Sequence, residues 1–378
     1  MMWLLLFTLT ALLVLLPMLP AWLEWRWPSD VVPLHIDTLD ALDPAYLARS
    51  FAEQLAGALA HGRNRLGRSR LAAVPSLGSW LLTKTEQREG ASRTVWHCSG
   101  DLRLPPDADL LAEVAATGDL HTAAGRIYRA LWAGRTLRLA PHTTVLRWAH
   151  ADRVDVPRHC RLAGRISAER LLTVSSGVSF SLLHAPVVQF GHLADSRQAP
   201  PSPGQRGTPL RRSLGLPPEV AWDAVAGRGT CAHTLRVGPA RAWRGDLVGQ
   251  ADLLLGRGCV VRGSLKANGM LQADDGCRIV GNLVATGRIE LGAHCVVLGA
   301  VVSETAVEIG PGCVIGAIGA PATVTAPRIV VAAGVVVHGT LWAGEQGSTL
   351  ADPAQPAALH GQSDAADDDD GNPQQVWA

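Results

Sequence analysis

Residues 247–318 consist of four consecutive 18-residue segments that begin at Leu247, Leu265, Leu283 and Val301. Cys259, Cys277, Cys295 and Cys313 hold the same place in each. A fixed period of this size marks a stacked solenoid, whose units bury their apolar faces only against their neighbours. Within a segment, apolar or small residues come in pairs spaced by two, such as Leu265/Ala267, Leu271/Ala273 and Cys277/Ile279. That spacing puts both side chains on one face of a strand. The pairs recur every six residues, so each segment predicts three short strands around a closed core: one coil of a single-stranded parallel β-helix. Gly258, Gly276 and Gly312 precede the third strand and Gly263, Gly281 and Gly299 follow it, at the expected corners. The predicted core ladder is Cys259, Cys277, Cys295 and Cys313 with Val261, Ile279, Val297 and Ile315.

The same frame recurs more weakly upstream. Trp96, Val114, Leu131, Ala149 and Ile166 start segments of 17 or 18 residues, and Cys160/Leu162 falls on the Cys-x-aliphatic pair after a one-residue deletion. Residues 192–230, with Pro200, Pro201, Pro203, Gly204 and Gly207, break the frame and predict a loop. Because Leu235-Arg-Val237 resembles a second-strand pair, the loop is expected to be an excursion from a corner of one coil. Two shorter solenoids on a linker are the alternative. A small insertion (319–327) precedes Ile329/Val331 and Val335/Val337, and beyond Gly344 the chain turns polar, with Asp364 and Asp367 to Asp370. The expected order is an anchor (1–25), a helical cap or linker region (26–95), degenerate coils (96–191), the excursion (192–230), regular coils (231–344) and a disordered acidic tail (345–378). About eleven coils at about 4.8 Å each give a rod of about 50 Å.

Residues 1–23 carry no charged side chain. As a helix they span about 35 Å, enough for a bilayer core of roughly 30 Å. Trp22, Trp25 and Trp27 cluster where an interfacial belt sits. No Lys or Arg precedes the apolar run and no small-x-small site follows it, so a retained anchor is expected in preference to a cleaved signal peptide. Arg26, Arg63, Arg65, Arg68 and Arg70 all follow the helix, which places the C-terminal body in the cytoplasm. Asp43-Pro44 predicts the start of an amphipathic helix running to about Ala60, expected to cover the open first coil, with the membrane surface or a partner as the alternatives.

Chemistry-bearing motifs are sparse. A net charge of +1 gives no reason to expect nucleic-acid binding. The four ladder cysteines alternate with aliphatics on an inward face, which reads as core packing and not a zinc site. Seven cysteines, an odd number, do not suggest a disulfide framework. His294 sits at a corner and His338 near the last strand, neither with an assignable acid or nucleophile, and Asp274-Asp275 reads as a solvated turn. No catalytic residue, cofactor or metal site is expected. Outward Val260, Val296 and Val314, with Val284 and Val302, form apolar stripes that are either covered or used as contacts.

The run VVRGSLKANGMLQADDGCRIVGNLVATGRIELGAHCVVLGAV resembles the bactofilins, bacterial polymer-forming cytoskeletal proteins. The repeats Val261-Arg-Gly263-Ser-Leu265-Lys-Ala267, Ile279-Val-Gly281-Asn-Leu283-Val-Ala285 and Val337-His-Gly339-Thr-Leu341-Trp-Ala343 carry the likeness, over about 245–344. The resemblance implies a right-handed β-helix that polymerises end to end without nucleotide. It further implies a non-enzymatic scaffold at the bacterial inner membrane, whose partners are itself and envelope or morphogenesis proteins. Val335, Val337, Leu341 and Trp342 of the last coil are the expected end-to-end contacts. The chain departs from the family in its anchor, its extra degenerate coils and its long excursion. A left-handed hexapeptide-repeat acyltransferase and a non-polymerising tethered adaptor are the competing readings.

Overall fold

A computed structural model describes residues 1–26, 43–74, 94–191, 213–215 and 217–350. The chain forms two units, Met1–Asp43 and Pro44–Ala378. In the first, α1 (Met2–Leu15) passes through a 3-10 turn (Leu16–Met18) into α2 (Leu19–Arg26). The turn falls at Pro17, whose ring removes an intrahelical hydrogen bond. Leu5–Arg26, 22 residues, is long and apolar enough to cross a membrane.

The second unit is a β-solenoid of about 13 turns. In its regular part the 18-residue period becomes pairing register. Leu247, Leu265, Leu283 and Val301 stack in sequence on one face. Leu253, Leu271, Ile289 and Val307 stack on the second, and Val261, Ile279, Val297 and Ile315 on the third. All twelve are fully buried. Corners are tight because successive coils approach closely there: a Cβ on Gly281 would lie 2.5 Å from Gly263 carbonyl atoms. Corner side chains also stitch one coil to the next. Asp246 Oδ1 accepts from Ser264 N (2.7 Å), Ser264 Oγ from Asn282 N (3.2 Å), and Asn282 Oδ1 from Ala300 N (2.9 Å).

The degenerate half obeys the same register. Trp96, Val114, Leu131, Ala149, Ile166 and Leu183 pair in succession, so alternating 17- and 18-residue segments are absorbed without a shift of face. Among the described residues the first coil is not covered by a helix, against expectation. Ser69–Ala73 adds to its edge in parallel, and Arg65–Leu66 folds back on that strand. The amphipathic helix α3 (Tyr46–Ala60) starts beyond Pro44 and lies along the side of the coils. Its buried Ala48, Phe51 and Leu55 face Val95, Ala115, Ala130 and Trp148 from four successive coils, with the Phe51 and Trp148 rings 5.1 Å apart. Fifteen residues at about 1.5 Å make a helix of about 22 Å, longer than the three pairing steps, about 14 Å, between those four coils.

The largest departure from expectation lies between the halves. Strand Ser179–Phe190, the last of the first half, pairs antiparallel with strand Val335–Thr349, the last of the second: Leu183 with Leu341, Val188 with Val337, Phe190 with Val335. The second half therefore runs back along the rod, and its first coil lies at the far end. Ser213–Leu214 pairs there with Arg241–Ala242, so 192–212, outside the described residues, connects the join to that far coil. It is not an excursion from one corner, and Ala221–Asp223 and Arg228–Cys231 within the expected loop form a hairpin. Two smaller boundaries move as well. Part of the 319–327 insertion is itself a coil face, with Val324 paired to Val301. The last strand continues through the expected tail to Thr349, whose hydroxyl accepts from Val178 N (2.9 Å) and donates to Ser175 O (2.9 Å). The tail beyond Leu350 lies outside the described residues.

Candidate assembly surfaces

Every residue of the predicted ladder points inward and is fully buried. The thiols donate to corner carbonyls of the preceding coils: Cys259 to Gly238 O (3.3 Å), Cys277 to Gly256 O (3.3 Å), Cys295 to Asp274 O (3.2 Å) and Cys313 to Gly292 O (3.0 Å). A small side chain with one weak donor thus fits a core position beside a corner. The neighbouring thiols act on Cys277 and Cys295 in opposite senses, and burial adds a rise, leaving both at about 12. Burial, opposed by backbone bonds, leaves Cys160 at about 11, whereas the Cys295 thiol holds Cys313 below the ordinary value against its burial. Cys160, Cys277 and Cys295 are inert thiols, because the thiolate is the reactive and metal-binding form. Among the described residues no group of three or more His, Cys, Asp or Glu is placed to hold a metal ion.

His294 stands at a corner with φ +56°, against the position of Gly312 in the next coil. His338 Nδ1 lies 2.9 Å from Pro186 O across the join. Asp274 and Asp275 are also structural: Asp275 Oδ1 accepts from Ala293 N (2.9 Å) and its other oxygen pairs with Arg257 (2.9 Å).

The four residues expected to join copies are placed inside the join. Val335, Val337 and Leu341 are fully buried against Phe190, Val188 and Leu183, and Trp342 pairs with Leu182 while its side chain stays 56% exposed. Leu183-His184-Ala185 and Leu341-Trp342-Ala343 are the same element of their coils, and Leu183 is opposite Leu341. The contact is thus locally twofold, the geometry of an isologous interface, formed here within one chain. His184 Nδ1 and Thr340 Oγ1, 2.9 Å apart, add a polar contact. The fit is close: a Cβ on Gly347 would collide with the Phe180 ring. Chain order gave no sign of this contact; only the shared Leu-x-Ala at both last coils could have suggested it.

The outer ends carry partial covers. At the start of the second half, the Ser213–Leu214 and Ala221–Asp223 strands pair on two faces, while among the described residues Leu235–Val237 pairs only inward, with Leu253–Leu255. Trp222 (45% exposed) and Val225 (fully exposed) project from that end.

No protein-family model, no curated protein and no solved structure matches this chain.

Proposed function

We propose that this protein is a membrane-anchored, bactofilin-like structural scaffold whose end-to-end association is made inside one chain. It is a tethered rod of finite length that holds envelope or morphogenesis proteins at the bacterial inner membrane. The observation that carries the reading is the join. An open last coil presents unpaired strand edges, the usual template for another chain, and here each last coil satisfies the other. The rod is about 60 Å long, for about 13 turns at about 4.8 Å. The arginines after the apolar helix support a cytoplasmic body. The buried, protonated thiols suit a structural role and not a reactive one.

Extension into a homopolymer is the second reading, and Leu235–Val237, paired among the described residues only with Leu253–Leu255, favours it. Electron microscopy of the full chain in lipid nanodiscs, without nucleotide, separates the two. Discrete rods of one chain length are expected. Filaments of uniform width restore the polymer, and compact trimers that bind acyl-coenzyme A replace both with the acyltransferase. Protease protection in inverted vesicles tests the orientation, and a protected body would overturn the cytoplasmic placement.

A further inference from the structure

The row of outward side chains that α3 covers does not end where the helix ends. Ala130 pairs with Trp148, Trp148 with Arg165, and Arg165 with Leu182. Across the join the row continues from Leu182 to Trp342, and through Thr325 to Val302 and Val284. α3 covers Ala130 and Trp148. Trp342 is 56% exposed, and Leu182, Val302 and Val284 are half-buried. Exposed Arg165 bounds this stripe at one end and exposed Lys266 at the other.

From Leu182 to Val284 are four pairing steps, about 19 Å at about 4.8 Å each, or about 13 helical residues at about 1.5 Å. α3 itself is 15 residues long. The face thus already holds one amphipathic helix parallel to the rod, and the remainder, left uncovered by the described residues, has the length and apolar character to hold another. Trp342, one pairing step in from Leu182, gives the stripe an exposed aromatic ring, a usual anchor of a contact. The two cations at its ends favour acidic side chains at the ends of the occupant.

We propose that this stripe is the docking site for an amphipathic helix of a partner protein, laid along the rod as α3 is, with its apolar face on Trp342 and acids at both ends. The inference deepens the scaffold reading above by naming the kind of partner the rod holds.

The test uses the full chain in lipid nanodiscs, with empty discs as the blank. The probe is a fluorescently labelled peptide of residues 44–60 with two glutamates added at each end. Saturable binding is expected, weakened at least tenfold by Trp342→Glu or Val302→Lys and unchanged by Gln272→Glu on another face. Absence of saturable binding overturns the proposal. So does binding that both variants leave intact, since the peptide then sits elsewhere or displaces α3. Loss of a dimer in Trp342→Glu without any effect on the peptide reassigns the stripe to contact between copies. Filaments in the microscopy with peptide binding intact sink the finite-rod reading alone, and rods without peptide binding sink the dock alone.

Discussion

His97 is a buried side chain that makes this fold sensitive to acid. It is 7% exposed, its Nε2 has no hydrogen-bond partner among the described residues, and burial lowers its pKa from 6.5. The unfolded chain therefore binds the proton more readily than the folded one. Its contribution is fully present above about pH 6.5 and is lost as pH falls toward the lowered folded value. Thermal denaturation between about pH 7 and 5 should show a falling Tm, with a shallower slope in His97→Gln; identical slopes would remove His97 from the account. Gly347 tests the join at the same scale. A side chain there enters the space of the Phe180 ring, and overpacking of this kind costs about 1–3 kcal/mol. Gly347→Val should lower the urea midpoint, whereas the open Gly238 position should tolerate Ala with little change. Inward residues were the most legible part of the sequence, because a period of 18 with pairs every six leaves one way to turn them. Thr349 was not legible. A polar residue in a polar stretch reads as tail, and only the folded chain puts its hydroxyl between Ser175 and Val178.

At the scale of elements, α3 shows what a coil face requires of a helix. Its Phe51 and Leu55 fill the surface over Ala115, Ala130 and Trp148. Truncating a buried Phe costs about 3–5 kcal/mol. Phe51→Ala should release the helix while the coils stay folded, seen as protection from hydrogen exchange lost over 46–60 and kept over 110–174. Global unfolding in that variant would make α3 part of the core instead. The Arg49–Glu169 pair (2.9 Å) is half-exposed, so Arg49→Ala should cost less than about 1 kcal/mol. The helix itself was legible from its apolar spacing, but its placement was not. The outward Ala115 and Ala130 that receive it look no different in sequence from any small residue on a strand.

At the scale of the whole molecule, the two halves are held by pairing on all three faces of the last coils. A specific protease site introduced into 192–212 should give, after complete cleavage, two fragments that still co-elute and appear as one mass under native conditions. Separation of the fragments would show that the connector, and not the join, keeps them together. The reversal was invisible in the sequence for a physical reason. Pairs spaced by two define which face is inward, yet they read the same whether the neighbouring strand is parallel or antiparallel. Register was therefore readable along each half, and direction was not readable between them.

The antiparallel join also removes directionality. A stack of parallel coils has a leading and a trailing end, and anything that binds along it can tell them apart. Here both halves are traversed from an outer end toward Leu183 and Leu341, so the rod has two beginnings and its only finish is hidden in the middle. Like a double-ended bolt, it can be gripped from either end with the same handedness of chain. In such a structure the chain direction sets a spacing, and any heading comes from the side chains that differ between its two ends.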